Sequence, residues 1–270
     1  MAKGKPIIKT EAEIEIMRES CLLVSKTLAE VGKHIKPGIS TYQLDAIAEE
    51  FILDNGAIPV FKGYKPHKDV SAFPYTLCTS VNEEVVHGLP SKHKILQEGD
   101  IISVDCGVLK NGFVGDSAYT FPVGVISPKK KRLLEATKQS LYKGIQRAVT
   151  GNFVGDISNA VQMYVESLGY KVVKEMVGHG VGRDLHEAPD VPNYGKRRTG
   201  ELLRERMVIA IEPMINMGKA AIKTASDEWT IYASDRLPSA HFEHTVVVRT
   251  GKAEILTTFE FIEAVVSNIK

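Results

Sequence analysis

Cysteine is scarce in this sequence, and its few occurrences form no motif. Cys21, Cys78 and Cys106 are widely spaced, odd in number and outside any CxxC pattern. This pattern indicates free thiols in a reducing compartment and argues against a disulfide-stapled fold. Long apolar runs are missing too, both the roughly 18 residues of a membrane span and the shorter stretch of a signal peptide. We therefore expect a soluble cytoplasmic protein that does not bind a membrane.

An excess of charge of one sign is also absent. The 34 Lys and Arg residues nearly balance the 33 Asp and Glu residues, and the net charge is +1. Direct binding to nucleic acid or to another polyanion is therefore not expected. The densest basic run, residues 129–132, follows Ser127-Pro128. It is better explained as the solvated start of a helix that extends to about Val149.

What the sequence does contain is an ordinary globular balance. Among its 270 residues, 43% are hydrophobic and 25% are charged, which is enough to build a sizeable core. Neither a Pro/Ser-rich linker nor a low-complexity tract divides the chain. We therefore expect residues 1–270 to form a single domain.

A unit of glycine, helix, glycine and strand occurs twice. At a spacing of 113 positions, Gly38 aligns with Gly151 and Gly56 with Gly169, and the first copy contains a predicted helix from Thr41 to Leu53. Because identity is low, two ordinary units that are similar by coincidence remain an alternative. A true duplication predicts two halves around a pseudo-twofold axis, in an α+β fold. Its strands would join into one curved, antiparallel-rich sheet with the helices outside.

Asn111-Gly112 predicts a two-residue β-hairpin turn. With that turn, Asp105 faces Ala118 and lies diagonally opposite Asp116 on the same face of the sheet. A change of one residue in the loop would break this arrangement. Aspartate is disfavoured in strands, and two carboxylates on one face between apolar neighbours would repel each other. Metal ligation therefore explains this pair better than two exposed side chains do.

Three further residues in strand-like segments are candidate ligands. His179 lies in Gly178–Gly182, where flanking glycines allow another group to approach closely; a structural role explains this histidine equally well. Glu212 ends the apolar run 208–211, and Glu243 precedes another predicted strand. A carboxylate inside an apolar run is costly unless it is paired or bound to a metal, and neither residue has a cation nearby in sequence.

The five candidates form an oxygen-rich ligand set of four carboxylates and one imidazole. Such a set suits Mn, Fe(II), Co or Zn, and it is too carboxylate-rich for a structural zinc site. Carboxylates that converge on one buried spot cannot all stay ionised without cations. Two ions sharing bridging carboxylates would neutralise them and set up two-metal hydrolysis. His87, on a short apolar stretch, has a structural explanation when it is considered alone.

Taken together, these residues resemble the methionine aminopeptidases, and the bacterial type I form is the most similar. The resemblance covers essentially the whole chain. Its matching segments are residues 36–41, 78–88, 178–183, 211–213 and 239–245, with the spacing from Asp105 to Asp116. All five ligand positions carry the expected residue types. Each segment alone is weak evidence, but the set is highly specific.

The resemblance implies the pita-bread fold and a centre with two divalent metal ions. Asp105 would bind one ion, Asp116 and Glu243 would bridge both, and His179 and Glu212 would complete the other. The implied activity is removal of the initiator methionine from nascent proteins, with a small second residue preferred. We accordingly expect nascent N-termini as substrates, transient contact with the ribosome, and a monomer.

The resemblance also assigns three catalytic roles and a substrate pocket. Glu212 would shuttle a proton, His186 would hydrogen-bond the scissile carbonyl, and His87 would contact the scissile amide nitrogen. The pocket for the methionine side chain would be lined by Phe61, Tyr64, Phe73, Cys78, His87, Leu185 and Trp229. Trp229 considered alone, between Glu228 and Thr230, would be a surface aromatic residue, but its positional match to the family favours the pocket.

A monovalent cation, Na or K, would lie near Asn82, Glu84 and Ser239, held mostly by backbone carbonyls. One departure from the family pattern is an insertion of about six residues around 65–70, which borders the substrate entrance and puts the second-residue selectivity in doubt.

Two rival functions remain at this point. A proline-peptide hydrolase of the same fold would usually have a separate N-terminal domain, for which this chain has no room. A non-catalytic pita-bread protein that binds partners would typically have lost metal ligands.

Overall fold

The computed structural model describes residues 4–66, 68 and 70–267. Within this part of the chain, the helices are α1 (Glu11–Gly32), α2 (Thr41–Asp54), α3 (Pro128–Ile145), α4 (Val154–Ser167) and α5 (Glu260–Ser267). The strands of the first half are β1 (Ile58–Pro59), β2 (Leu77–Val81), β3 (Glu84–Val86), β4 (Ile101–Lys110) and β5 (Phe113–Pro122). Those of the second half are β6 (Lys171–Val172), β7 (Val177–Gly180), β8 (Glu187–Pro192), β9 (Val208–Ile211), β10 (Met214–Asn216), β11 (Ile222–Thr224), β12 (Ile231–Ala233), β13 (Ser239–His241), β14 (His244–Val247) and β15 (Glu254–Ile255).

Local sequence explains where the helices begin and end. The first turn of α2 is closed by a capping box, in which Ser40 Oγ accepts from Gln43 N and the Gln43 side chain accepts from Ser40 N. Helix α2 ends one residue beyond the predicted Leu53. Helix α3 begins at the predicted Pro128 but ends four residues before Val149. Beyond Ile145, the backbone N–H groups of Arg147 and Ala148 donate to carbonyl oxygens three residues earlier, so tight turns replace the last predicted helical turn.

The predicted repeat is present in the structure. Both bounds of α2 and α4 differ by 113 positions, and so do both bounds of β1 and β6. The matched glycines share left-handed backbone angles, with φ of +94° at Gly38 and +90° at Gly151. Both short strands pair antiparallel with a longer strand, β1 with β4 and β6 with β10. The chain is therefore built from two related halves.

All strand pairs are antiparallel, as expected, but the described strands form four hydrogen-bonded sheets rather than one continuous sheet. Their orders are β1-β4-β2 with β5 on β4, β13-β10-β6, β11-β12-β3, and β15-β14-β9-β7-β8. One break falls at Pro213, between β9 and β10, because proline has no N–H to donate to a ladder. Single backbone bonds connect sheets across such breaks, for example from Glu243 N to Ala118 O at 2.9 Å.

Helix α1 packs directly on the β4–β5 hairpin. The backbones approach so closely at Gly115 that a Cβ there would lie 2.6 Å from Cys21 N. A side chain at this position would push α1 off the hairpin. The same helix contributes Leu23, Val24 and Leu28 to the main core cluster, which extends to α5. The hairpin is thus held against a rigid support.

None of the helices in the described part of the chain combines the length and the apolar character that a membrane crossing requires.

Candidate active site

The β4–β5 hairpin has the predicted register. Asp105 pairs with Ala118 and Asp116 pairs with Gly107, so the two aspartates are diagonal neighbours on one face. The turn residues Asn111 and Gly112 have φ of +51° and +79°, the left-handed angles that a tight two-residue hairpin requires. The hairpin prediction is confirmed.

The five predicted metal ligands line one cavity of about 620 Å³. Donor atoms of Asp116, His179 and Glu243 lie within 4.8 Å of one another. His179 Nε2 is 3.7 Å from Asp116 Oδ2 and 3.5 Å from Glu212 Oε1. Asp105 lies beside this group on the hairpin. Residues from both halves of the chain therefore meet at one point.

Strand β7 presents His179 with Nε2 available to coordinate a metal ion. Its Nδ1 lies 2.9 Å from the backbone oxygen of Gly180, which makes Nδ1 the protonated nitrogen and leaves a lone pair on Nε2. That lone pair faces Asp116 and Glu212. The residue before His179 has to be glycine, because a Cβ at Gly178 would lie 2.4 Å from a carbonyl oxygen of β9. This is the arrangement of a metal-binding imidazole held by a backbone partner.

The four carboxylates are poorly neutralised by the protein itself. Burial raises the pKa of Asp105 and of Glu212 to about 7, and burial together with neighbouring carboxylates raises the pKa of Asp116 and Glu243 well above the usual range. Asp105 Oδ1, Asp116 Oδ1 and Glu243 Oε1 have no hydrogen-bond partner in the described chain. Among the described residues that line the cavity, none is Lys or Arg. These donors fit a cluster of divalent metal ions.

Two further histidines face the same cavity. His186 Nδ1 lies 2.7 Å from the Tyr64 hydroxyl, whose pKa is raised by burial, so the phenol stays protonated and can donate. Tyr64 then fixes the tautomer of His186 that has its proton on Nε2. His87 has a left-handed φ of +58°, a strained angle for a residue other than glycine. Burial lowers the pKa of His87 to about 4, so its imidazole is neutral near pH 7.

The residues predicted for the methionine pocket also line this cavity: Phe61, Tyr64, Phe73, Cys78, His87, Leu185 and Trp229. Trp229 is only 8% exposed and meets Phe73 edge-on, with ring centroids 5.1 Å apart. It is therefore a cavity wall rather than a surface aromatic residue. Sequence reasoning missed Met176, Met214 and Ile231, which line the cavity from segments without a distinguishing pattern.

The three residues predicted near a monovalent cation are only partly assembled around a shared point. Asn82 O accepts from Ser239 N at 2.8 Å. The Glu84 carboxylate is occupied by Lys94 Nζ at 2.6 Å and by Val81 N at 2.8 Å. Lys130 Nζ, from the basic run at the start of α3, donates to the Asn82 side chain. The cation stays a prediction.

The predicted insertion at residues 65–70 borders the cavity. Pro66 and Val70 belong to its lining. His67 and Asp69 lie outside the described residues, and the effect of this segment on selectivity stays a prediction.

Comparisons with known proteins agree with this geometry. The sequence model of metallopeptidase family M24 matches residues 15–250. The chain is 50% identical to the methionine aminopeptidase of Clostridium acetobutylicum over 94% of this chain and 99% of that protein. It is 51% identical to methionine aminopeptidase 1 of Bacillus subtilis strain 168, over 93% and 98% of the two chains. The crystal structure of methionine aminopeptidase from Rickettsia prowazekii superposes with a TM-score of 0.90 at 38% identity, covering 94% of this chain and all of that one. These similarities confirm the pita-bread fold, and the chain belongs to metallopeptidase family M24.

Proposed function

We propose that this protein is a methionine aminopeptidase with a dinuclear metal centre. It removes the initiator methionine from nascent proteins and prefers a small second residue. The observation that carries the proposal is the composition of one cavity. A carboxylate–imidazole cluster and an aromatic, apolar pocket with the Cys78 thiol line the same space. The cluster provides the groups for hydrolysis of the peptide bond, and the pocket selects a thioether side chain.

Asp105, Asp116, His179, Glu212 and Glu243 would hold two divalent ions. When bound, such ions lower the pKa of water and polarise a carbonyl group. Mn, Fe(II), Co and Zn all accept this ligand set. Elemental analysis of protein purified without oxygen would identify the physiological metal.

The chain's own residues move the protons and orient the scissile bond. Glu212 takes a proton from the attacking water and delivers it to the leaving nitrogen, so that water adds to the carbonyl carbon and the C–N bond breaks. His186, with its proton on Nε2, donates to the carbonyl oxygen as negative charge develops. The neutral imidazole of His87 lies near the scissile nitrogen. The products are free methionine and a peptide one residue shorter.

The decisive experiment compares two peptides with metal-loaded enzyme. Cleavage of a Met-Ala peptide without cleavage of an Ala-Pro peptide supports the proposal. Cleavage of the Ala-Pro peptide instead would identify a proline-peptide hydrolase of the same fold. If the protein binds metal but cleaves neither peptide, it is a non-catalytic member of the fold. A norleucine substrate should be cleaved within about a hundredfold of methionine, because an apolar pocket discriminates such shapes weakly.

Four further proposals concern the setting of this activity. The chain is a single catalytic domain, which is supported by a core cluster that includes both Leu23 and Ile262. It acts in the cytoplasm as a monomer, on nascent chains and in transient contact with the ribosome. It binds neither nucleic acid nor membrane. A monovalent cation, Na or K, is held near Asn82, Glu84 and Ser239.

A further inference from the structure

A buried histidine without an assigned role lies behind the metal-ligand cluster. His241 is 1% exposed, and neither of its ring nitrogens has a hydrogen-bond partner in the described part of the chain. Its Nε2 lies 3.6 Å from Glu212 Oε2. A buried imidazole without any partner costs free energy, so its presence beside a catalytic carboxylate calls for a physical explanation.

Strand pairing explains why His241 meets Glu212. Met214 pairs with His241 in β10–β13, and Ile211 pairs with His244 in β9–β14. Both pairs continue one register, although Pro213 interrupts the ladder between them. In that register Glu212 is opposite Glu243 and diagonal to His241.

The first half of the chain contains the same relation. Asp105 is opposite Ala118 and diagonal to Asp116. His241 therefore has the position beside Glu212 that Asp116 has beside Asp105. In the first half this diagonal position holds Asp116, a proposed metal ligand. In the second half it holds His241, whose imidazole ring has an N–H to donate.

The two oxygens of Glu212 face different histidines. Oε1 lies 3.5 Å from His179 Nε2, and Oε2 lies 3.6 Å from His241 Nε2. The second separation is longer than a hydrogen bond, but a shift of roughly 0.7 Å closes it. The Glu212 side chain has three rotatable bonds, so a shift of that size needs no backbone movement.

We propose that His241 is a positioning residue that donates its Nε2–H to Glu212 Oε2. This bond holds Oε2 toward His241 and leaves Oε1 on the side of His179, where it would be available to a metal ion. Glu212 is thereby held in one orientation for binding metal and for transferring the proton. The inference deepens the proposed function and depends on it for the catalytic part. His241 itself lies outside the group of donor atoms formed by Asp116, His179 and Glu243.

Two amide substitutions distinguish this role from a merely structural one. In His241→Gln the amide reaches the position of Nε2, and in His241→Asn it reaches only the position of Nδ1. The two side chains are otherwise alike in chemistry. We expect the Gln variant to keep kcat and the dissociation constants for Co(II) within about threefold of wild type. We expect the Asn variant to lose about 10- to 100-fold in kcat or metal affinity, the usual effect of removing a partner of a metal ligand. KM for a Met-Ala peptide should change less than threefold in both.

The measurements are calorimetric titration of the metal-free protein with Co(II), the visible spectrum of the Co(II) form, and steady-state kinetics. Thermal unfolding of both metal-free variants serves as the folding control. The Gln variant should reproduce the wild-type spectrum and the Asn variant should not.

Equal losses in the Gln and Asn variants would overturn the proposal, and so would wild-type behaviour in both. A fall from two bound ions to one in both variants would make His241 a ligand instead. If wild type binds Co(II) but does not cleave Met-Ala peptides, the proposed function fails. The difference in Co(II) affinity between the two variants would still decide the role of His241.

Discussion

Replacing Lys9 by methionine is expected to destabilise the protein by about 3–5 kcal/mol. Lys9 Nζ lies 2.5 Å from Glu187 Oε2, and the two side chains are only 3% and 6% exposed. The substitution leaves the Glu187 carboxylate buried without its counter-charge, which is the costly way to break such a pair. Methionine is close to the lysine stem in length and volume, so a cavity adds little to the loss.

The same pair connects the N-terminal segment to the loop of His186, for which we propose a catalytic role. Lys9 N donates to Arg206 O at 3.1 Å. Glu187 Oε1 accepts from Arg183 N at 2.9 Å, and His186 is the residue immediately before Glu187. Loss of the pair should therefore displace His186 as well as destabilise the fold. We expect kcat for a Met-Ala peptide to fall roughly 10- to 100-fold, since small displacements of catalytic groups have effects of this size.

Urea and thermal unfolding of the metal-free protein measure the stability part. The expected loss corresponds to a midpoint about 6–20 °C lower, at roughly 2–4 °C per kcal/mol for a chain of this size. The matched control is Lys33→Met. Lys33 Nζ is also 2.5 Å from a carboxylate, that of Glu30, but its side chain is 55% exposed. An exposed pair contributes about 0–1 kcal/mol, so this variant should unfold almost as wild type does.

The double variant Lys9→Met/Glu187→Leu completes the test. It removes both charges and leaves no unpaired carboxylate, so most of the stability should return although the ion pair is gone. A loss below about 1 kcal/mol in Lys9→Met would refute the reasoning, because it falls in the range of exposed pairs. A double variant as unstable as the single one would refute it too.

Four further outcomes are expected. Asp116→Ala should abolish measurable peptidase activity while the fold is retained, and near-native turnover with excess divalent metal would reject Asp116 as a bridging ligand. His87→Ala should lower turnover by roughly 10²–10⁴ with unchanged metal content; a parallel fall in metal content would make His87 a ligand or a structural residue. Burial raises the pKa of Asp45 to about 6, whereas the ordinary value is 3.8, so the folded state keeps this proton to higher pH than the unfolded state does. Its contribution to stability should therefore fall by about 3 kcal/mol at most as the pH rises from about 4 to 6. Asp45→Asn should lack this fall in urea unfolding at pH 4.5 and 7.5, and equal pH dependence of both proteins would contradict the assignment. Deletion of residues 65–70 should preserve the methionine requirement and alter tolerance of the second or third residue, measured on a series of Met-X peptides. A shift only in first-residue preference would place this loop on the other side of the scissile bond.

The features that could be predicted from sequence depend on short-range rules. The hairpin is one of them, because Asn111-Gly112 sets the loop length and the alternation of side chains then sets the face of Asp105 and Asp116. The capped start of α3 at Pro128 is another. Each rule needs only a few neighbouring residues. The prediction of the five metal ligands, by contrast, rests on the resemblance and on the cost of buried charge.

The features that escaped prediction join residues far apart in the chain. Lys9 and Glu187 are 178 positions apart, and no local pattern relates them. His241 lies only two positions before Glu243, so alternation would have placed both on one face. Its partner Glu212, however, lies on the opposite strand, next to Pro213, where the hydrogen-bond ladder is interrupted. Short-range rules could show that His241 faces the site, but not which atom it meets there.

The internal repeat shows most clearly where a sequence comparison stops. The spacing of 113 positions holds through β1 and β6. Their partner strands, β4 and β10, have equivalent residues only 107 positions apart. Ile58 pairs with Leu109, whereas Lys171 pairs with Asn216. The connection between the paired strands is six residues shorter in the second half, so the gapless alignment loses register before it reaches the predicted ligands. In the structural register, Glu212 is the counterpart of Asp105. The two structurally related halves therefore supply chemically different groups at equivalent points. The proposed ligand set reflects this difference, because the first half offers only carboxylates, whereas the second half offers carboxylates together with imidazoles.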